Sequence, residues 1–363
     1  MKVLIVHASA GAGHRRAAEA IYNYLKENSS DLDLELLDSL DKTNALFKFD
    51  YTKGYSFLVH YATRLWHWAF LVTDNKFLRP ISRRLARIIN CINSQGLIHY
   101  FIHQNPDVII STHFLPSELA ADLKQKHKIT SKLITIITDY GVHPFWICPG
   151  TDLYVVASEF TKNRLVMEGV GVDRISVLGL PFDPKFLHHF DRRVICHKIG
   201  IDHQKFTVLL MTGSFGLGPL EEIAEVLAKD CQVLVVCAGN KKLYAKLLKR
   251  NLENVKVFGF ISNAEELMAA AQVIITKPGG ATITEVLIME LPVVFISAIP
   301  GQETANVEAL AEYGIGVSPK NIEEIKKFVL DLKNNPQKIL ELKQRIREIQ
   351  KPFACKELAG VIR

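Results

Sequence analysis

A histidine stands where the first predicted strand, VLIVH (3–7), gives way to a helix, within the stretch HASAGAGHRRAAEAI. Gly11 and Gly13 allow a tight turn and a close approach of a ligand to the backbone. The helix that begins there offers unpaired amide groups and the positive end of its dipole. That positive end disfavours the imidazolium form of His14, so we expect a neutral ring that accepts a proton. The loop therefore predicts a general base beside an anion.

Two other interpretations of this loop remain open. The histidine can simply pack or cap the turn. The loop can also belong to a dinucleotide site, although Arg16 stands where that fingerprint has a third small residue. Asp38 follows the second predicted strand, as a ribose ligand would. A nicotinamide-dependent dehydrogenase is therefore an alternative.

Three loops in the second half of the chain combine glycine with polar residues after predicted strands. MTGSFGLG (211–218) and TKPGGATITEV (276–286) each join a strand to a helix, and such turns suit phosphate oxygens. In the second of these, Glu285 lies about one turn into the helix, where a carboxylate either accepts the hydroxyls of a ribose or complements the helix dipole. The third loop, SAIPGQETAN (297–306), carries polar groups that suit the hydroxyls of a sugar.

The elements that must position these loops alternate short β-branched runs with longer amphipathic ones, which is typical of parallel sheets covered by helices. Strands are predicted at 3–7, 32–38, 107–111, 132–138, 152–157, 207–211, 232–237, 254–259, 272–276 and 292–297. A length of 363 residues favours two domains. The predicted division is an N-terminal α/β domain at 1–182, a linker at 183–204, a C-terminal α/β domain at 205–351, and a tail at 352–363 that returns to the first domain.

Composition and charge limit the setting of the protein. Its six cysteines are scattered, without a Cys-x-x-Cys pair or a metal-ligand spacing, which indicates reduced thiols in a cytosolic protein. The N-terminus shows no signal-peptide pattern, and no apolar run is long enough to span a bilayer. Between residues 51 and 100, seven basic residues stand against one acid, so an anionic partner is expected there.

The run YSFLVHYATRLWHWAFLV (55–72) is unusually aromatic, and it includes Trp66 and Trp68. Downstream, Arg79, Arg83 and Arg87 recur every four residues and would share one helix face. Aromatic residues beside arginines are typical of a helix at the interface of an anionic membrane. The alternative is a core helix with a solvated neighbour. Nucleic acid is the less favoured partner, because no nucleic-acid-binding module is recognised.

The combination of these motifs resembles a known family. TKPGG-x-T-x-x-E (276–285), followed by PGQE-x-x-N (300–306) and preceded by SAGAGH (9–14), is similar to the monogalactosyldiacylglycerol synthases and the processive diacylglycerol glucosyltransferases. The resemblance extends, more distantly, to the transferase that adds N-acetylglucosamine to the lipid-linked cell-wall precursor. It implies a GT-B fold, with two Rossmann-like doubly wound domains facing each other across a cleft. It also implies a UDP-sugar held by the C-terminal domain and an acceptor held by the N-terminal one.

The resemblance also implies roles for individual residues. The donor diphosphate and ribose would contact Gly213, Ser214, Gly216, Gly279, Gly280, Thr282 and Glu285, and the hexose would contact Gln302, Glu303 and Asn306. His14 would be the base for the acceptor hydroxyl. Within TDYGVHPFW (138–146), Asp139 would orient or replace His14. His143 would face the acceptor, with Trp66, Trp68, Arg83 and Arg87 at the membrane.

We therefore predict an inverting transfer of a hexose from a UDP-α-sugar to a diacylglycerol-type lipid, without a metal or other cofactor. The enzyme would be cytoplasmic and peripherally bound to the inner face of the cell membrane. Glucose, galactose and N-acetylglucosamine remain open as the sugar, because SFGLG departs from the first donor loop of both groups. The alternatives are transfer of N-acetylglucosamine to a cell-wall precursor, UDP-sugar 2-epimerisation, or UDP-sugar sensing without catalysis.

Overall fold

The computed structural model describes residues 1–54, 73, 77–213, 216 and 218–362. The chain forms two compact units. The first comprises Met1–Asp183, Ile299–Ala305 and Lys351–Arg363, and the second comprises Pro184–Ala298 and Asn306–Gln350. Among the residues that the structure describes, no helix combines the length and the apolar character needed to cross a bilayer.

A six-stranded parallel sheet forms the centre of the first unit. Its strands are β1 (Lys2–His7), β2 (Asp33–Asp38), β3 (Val108–Ser111), β4 (Lys132–Ile136), β5 (Leu153–Val156) and β6 (Ile175–Val177). They lie in the order β2-β1-β3-β4-β5-β6. The register places Asp38 beside His7 and Ser111 beside Val6. The loops that follow these strands therefore leave the sheet at one edge, where open parallel sheets hold their ligands.

Helices cover both faces of this sheet. In the described part of the first half they are α1 (Ala12–Asn28), α2 (Ala45–Phe49), α3 (Arg79–Asn93), α4 (Gln95–Gln104), α5 (Phe114–Gln125) and α6 (Glu159–Met167). In α1, the buried residues Ala17, Ile21 and Leu25 recur every four positions. This spacing gives the helix one apolar stripe against the sheet.

The second unit is built on a five-stranded parallel sheet in the order β11-β10-β7-β8-β9. Its strands are β7 (Thr207–Met211), β8 (Gln232–Val236), β9 (Val255–Phe258), β10 (Val273–Thr276) and β11 (Val293–Phe295). The helices in this half of the chain, from the one that precedes β7 onward, are α7 (Arg192–Ile199), α8 (Leu220–Leu227), α9 (Lys241–Arg250), α10 (Ala264–Ala270), α11 (Gly280–Ile288), α12 (Gln302–Glu312), α13 (Ile322–Asn334) and α14 (Pro336–Ile349). Strands β7, β8 and β10 are buried along their whole length, as expected for a sheet covered on both faces.

The predicted strands are all present, with ends that differ by up to two residues, and the three-residue strand β6 is one that the sequence did not reveal. The segment predicted as a linker, 183–204, contains α7, which Asp191 caps through a hydrogen bond from the amide of Arg193 (2.8 Å). The tail forms α15 (Ala354–Ile362) within the first unit. There, Nζ of Lys132 donates a hydrogen bond to the carbonyl of Val361.

Candidate functional site

His14 lies in the first turn of α1, at the ligand-binding edge of the first sheet. Its Nδ1 atom is 2.8 Å from the carbonyl oxygen of Thr112 and 2.8 Å from the hydroxyl oxygen of Thr138. A carbonyl oxygen can only accept a hydrogen bond, so Nδ1 carries the proton. In the neutral ring, Nε2 then has a free lone pair, and it makes no hydrogen bond within the described residues. The tautomer therefore suits a general base that acts through Nε2.

Thr112 holds His14 from two sides. Its carbonyl oxygen accepts the hydrogen bond from the ring. Its hydroxyl donates a second hydrogen bond to the carbonyl oxygen of His14 (3.0 Å). Its amide donates a hydrogen bond to the carbonyl oxygen of Val6 in β1 (3.0 Å). The histidine is therefore oriented by the end of the neighbouring strand β3, 98 residues away in the chain.

Asp139, which follows β4, is buried and acts on His14 through its charge. Burial lowers the pKa of His14 below its ordinary value, whereas the charge of Asp139 and the hydrogen bond to Thr112 act in the opposite direction. A carboxylate in this position stabilises the imidazolium that forms when His14 takes a proton. The groups that orient the ring at Nδ1 are Thr112 and Thr138.

His113 is a second histidine at this site, and the sequence analysis did not single it out. Its ring stands edge-on to that of His14, with 4.6 Å between ring centroids and an interplanar angle of 80°. Burial, followed by the neighbouring His14 and His7, holds the pKa of His113 well below its ordinary value. Its position at the end of β3, in front of a helix, was the only available signal in the sequence.

His143 caps a short helical turn that follows β4. Its Nδ1 atom accepts a hydrogen bond from the amide of Phe145 (3.3 Å) and so caps the helical turn Pro144–Trp146. Its Nε2 atom lies 3.3 Å from the hydroxyl of Thr73. Burial, with the charges of Arg79 and Arg83, lowers the pKa of His143 to about 4. This histidine is therefore neutral, and both of its nitrogens contact the protein.

Asp38 gives no support to a nicotinamide site. Its Oδ1 atom accepts hydrogen bonds from the amides of Ser9 (3.2 Å) and Leu40 (3.1 Å). The carboxylate that would have to bind ribose in a dinucleotide site thus closes the glycine loop and caps the next turn.

The arginine face of α3 makes contacts with other segments of the first unit. Arg79 is paired with Glu168, Arg83 donates to the carbonyl of Ile147, and Arg87 is paired with Asp122. The spacing of four residues places the three arginines on one face of α3. That face contacts other segments of the first unit, to which α3 itself belongs. The contact of Arg83 and Arg87 with lipid head groups stays a prediction. Trp66 and Trp68 lie outside the described residues.

The first donor loop follows β7. Gly213 and Gly216 both adopt a left-handed backbone conformation, with φ of 74° and 57°. Among the described residues, a Cβ atom on Gly213 would meet nothing within 4 Å, whereas one on Gly216 would lie 2.2 Å from the carbonyl oxygen of Cys237. Asn240 adds a hydrogen bond to the carbonyl of Gly216 (3.1 Å). The loop is therefore anchored at Gly216 and open at Gly213. Ser214 lies outside the described residues.

The second donor loop leads into α11. Gly279 precedes the helix, and no side chain caps its first turn, so its amides remain for a ligand. Thr282 is half-buried in that turn. Glu285 is buried one turn further on. The hydroxyl of Thr284 bonds to the carbonyl of Gly280 (3.0 Å), which stiffens the start of the helix.

Two of the predicted sugar ligands make hydrogen bonds within the protein. Asn306 is fully buried, and its Nδ2 atom donates a hydrogen bond to the carbonyl of Pro278 (2.9 Å) in the second donor loop. Glu303 is 8 % exposed, and its Oε2 atom accepts a hydrogen bond from the amide of Ile299 (2.7 Å), closing its own turn. These contacts do not place Asn306 against a hexose. Of Gln302, the structure describes the backbone alone.

No group of three or more histidine, cysteine, aspartate or glutamate side chains suited to a metal ion occurs in the described part of the chain. Asp31 and Asp33 have an Asp-x-Asp spacing, but they stand at the amino end of β2. The two aspartates therefore lie at the end of β2 that is opposite to Asp38, the residue that pairs with His7.

Comparison with known proteins connects both units to glycosyltransferases. Residues 14–182 match the family described as monogalactosyldiacylglycerol (MGDG) synthase, and residues 207–356 match the glycosyltransferase family 28 C-terminal domain. The chain is 34 % identical over 376 residues to monogalactosyldiacylglycerol synthase 1, chloroplastic, of Arabidopsis thaliana, covering 97 % of this chain and 69 % of that protein. It is 28 % identical over 375 residues to a processive diacylglycerol beta-glucosyltransferase of Staphylococcus aureus, with 99 % and 93 % covered.

The fold has a close counterpart among solved structures. MurG of Acinetobacter baumannii superimposes with a TM-score of 0.66 at 15 % identity, covering 99 % of each chain. This likeness concerns the fold, and it confirms the predicted GT-B type with two Rossmann-like domains. The sequence matches along nearly the whole chain show that the protein belongs to the monogalactosyldiacylglycerol synthase family of glycosyltransferases.

Proposed function

We propose that this protein transfers a hexose from a UDP-sugar to the free hydroxyl of diacylglycerol, with inversion, to give a β-glycolipid. The observation that carries the proposal is the state of His14. Its proton is fixed on Nδ1 by the carbonyl of Thr112, so Nε2 is free to accept the proton of an alcohol. The names of the Arabidopsis and Staphylococcus relatives support diacylglycerol as that alcohol.

Proton transfer creates the charge that the site must stabilise. As the acceptor oxygen attacks the anomeric carbon, its proton moves to Nε2 of His14. The imidazolium that results lies near the buried carboxylate of Asp139. Because the surroundings are poorly solvated, this attraction has more effect than it would in water. Asp139 thus supports His14 as the base.

The donor side has to stabilise the departing diphosphate. In the proposed mechanism, the uncapped first turn of α11 and the open backbone at Gly213 supply amide donors for its oxygens. Glu285, one turn into α11, would accept the ribose hydroxyls. Asn306 would act indirectly, by holding Pro278 and so the start of this loop. We propose that these groups suffice without a metal, so activity should persist in the presence of a chelator.

A peripheral membrane contact belongs to the same proposal, since diacylglycerol resides in the bilayer. The side of α3 that is opposite to its arginines is apolar and exposed, with Ile81 at 70 %, Leu85 at 58 % and Ile92 at 66 % exposure. Phe77, just before this helix, is also exposed. An apolar stripe of this kind is unusual on a helix in water and suits insertion among lipid head groups. We place it against the inner face of the cell membrane.

Lipid glycosylation assays test the proposal directly. The purified protein is incubated with diacylglycerol in anionic vesicles and with UDP-glucose, UDP-galactose or UDP-N-acetylglucosamine in separate reactions. The product is identified by mass, and its anomeric configuration by proton coupling constants. A β-hexosyl diacylglycerol from one of the donors is the expected result, and it names the sugar. UDP binding without glycolipid from any donor would contradict the proposal and favour a sensor.

A further inference from the structure

We infer that His113 binds the acceptor lipid by donating a hydrogen bond from Nε2 to an ester carbonyl. This inference rests on the proposed function, since it assumes that the acceptor carries ester groups. It adds a substrate-binding residue next to the base His14.

The tautomer of His113 is the reverse of that of His14. His113 caps α5, and its Nδ1 atom accepts a hydrogen bond from the amide of Leu115 (3.1 Å). An atom that accepts from an amide carries no proton, so the proton of the neutral ring is on Nε2. His14 thus offers a lone pair at Nε2, whereas His113 offers an N–H.

The donor group of His113 is available. Nε2 has no hydrogen-bond partner within the described residues. The residue as a whole is buried, with 2 % of its surface exposed. A buried N–H donor that lacks a partner in the protein is satisfied either by water or by a ligand.

The ring is held firmly enough to position a ligand. The carbonyl of His113 accepts hydrogen bonds from the hydroxyls of Ser111 (2.8 Å) and Ser117 (3.0 Å). The ring packs against Phe114, with 4.2 Å between centroids, and stands edge-on to His14. With the helix cap at Leu115, these contacts fix both the position and the orientation of the imidazole.

The chemistry of the lipid decides which of its atoms the N–H contacts. A hydrogen bond donated to the attacking hydroxyl oxygen would reduce the electron density that attack requires. Diacylglycerol offers other acceptors only a few covalent bonds away, the carbonyl oxygens of its esters. A neutral N–H donor matches a neutral carbonyl, and the rings of His14 and His113 are adjacent. One histidine would therefore hold the ester while the other deprotonates the hydroxyl.

Acceptor analogues and two variants test this inference. Dialkylglycerol keeps the hydroxyl and the chains of diacylglycerol but lacks both carbonyls. The variant His113→Asn keeps an oxygen that can cap Leu115 and loses the donor at the Nε2 position. The variant His113→Gln keeps an N–H near that position and loses the cap. The measurement is kcat/KM for both lipids in the same vesicles, with KM for the UDP-sugar and the melting temperature as controls.

The wild-type enzyme should prefer diacylglycerol to dialkylglycerol by about tenfold in kcat/KM, mainly through KM, which is the usual effect of one hydrogen bond. His113→Asn should lose this preference while its KM for the UDP-sugar stays unchanged. His113→Gln should keep much of the preference but melt at a lower temperature.

Equal use of both lipids by the wild-type enzyme would overturn the inference, and this comparison does not depend on the folding of any variant. A preference that persists in His113→Asn would overturn it too. If the wild-type enzyme glycosylated neither lipid, the proposed function itself would fail, and that result is distinct from equal use of the two.

Discussion

The Nδ2 atom of Asn306 donates a hydrogen bond to the carbonyl of Pro278, so α12 supports the donor loop that precedes α11. The asparagine is fully buried. In Asn306→Ala, the Pro278 carbonyl loses this donor, and we expect the free energy of unfolding to fall by about 1–3 kcal/mol. UDP binding measured by calorimetry should weaken as well. Glu308→Ala, an exposed change on the same helix, is the matched control. Equal stability of the two variants would show that the hydrogen bond is unimportant.

The first donor loop offers a pair of glycine substitutions with different expected effects. In Gly216→Ala, the new Cβ atom would collide with the carbonyl of Cys237, and we expect a loss of about 2–4 kcal/mol in unfolding free energy. In Gly213→Ala, no atom of the described part of the chain obstructs the methyl group, so we expect only the cost of the left-handed backbone, about 1 kcal/mol.

UDP affinity separates the roles of these two glycines. Gly213→Ala should fold and yet bind UDP more weakly, because its methyl group obstructs the approach of the diphosphate. Chemical denaturation and UDP titration of both variants check this pair. Undiminished UDP binding by Gly213→Ala would place the diphosphate elsewhere.

The acid limb of the pH profile identifies the base. His14 must be neutral to accept a proton, so kcat/KM should fall as the pH drops through its pKa. Since burial lowers the pKa of His14, the midpoint should lie below the ordinary value of about 6.5. Asp139 raises that pKa, so Asp139→Asn should move the midpoint to still lower pH and reduce kcat at the plateau.

Direct removal of the base completes that test. His14→Ala should lower turnover by about 100-fold or more with little change in UDP affinity. If Asp139 were the base, Asp139→Asn would abolish transfer instead of shifting the profile. Near-normal turnover by His14→Ala would exclude His14.

The two faces of α3 should respond differently to substitution. The double variant Ile81→Ser, Leu85→Ser removes apolar side chains that are exposed, so we expect binding to anionic vesicles to fall about tenfold or more with little change in melting temperature. Arg83→Ala removes the hydrogen bond that the guanidinium donates to the carbonyl of Ile147, and it should lower the melting temperature. Vesicle sedimentation and thermal unfolding measure both effects. Lost vesicle binding by Arg83→Ala at unchanged stability would instead assign this arginine to lipid head groups.

The sequence by itself was enough for the fold class and for the positions of the candidate loops. Buried parallel strands are short β-branched runs, and strand-to-helix turns that approach a ligand need glycine, so both leave local patterns. His14 and the loops at Gly213 and Gly279 were predicted in this way. The helix α7 was not predicted, because its eight residues are too few to show a clear helical period of apolar residues.

Only the tertiary structure decided what each polar side chain contacts. The tautomer of His14 depends on Thr112, and its environment depends on His113, which become neighbours because β3 pairs with β1. Asn306 and Pro278 meet in the same way, across 28 residues. On α3, the spacing of Arg79, Arg83 and Arg87 predicted that they share one face, but it did not predict which segments that face contacts. The partners of the arginines, Glu168, Ile147 and Asp122, lie on distant segments, and contacts across such separations leave no periodic signal in a single sequence.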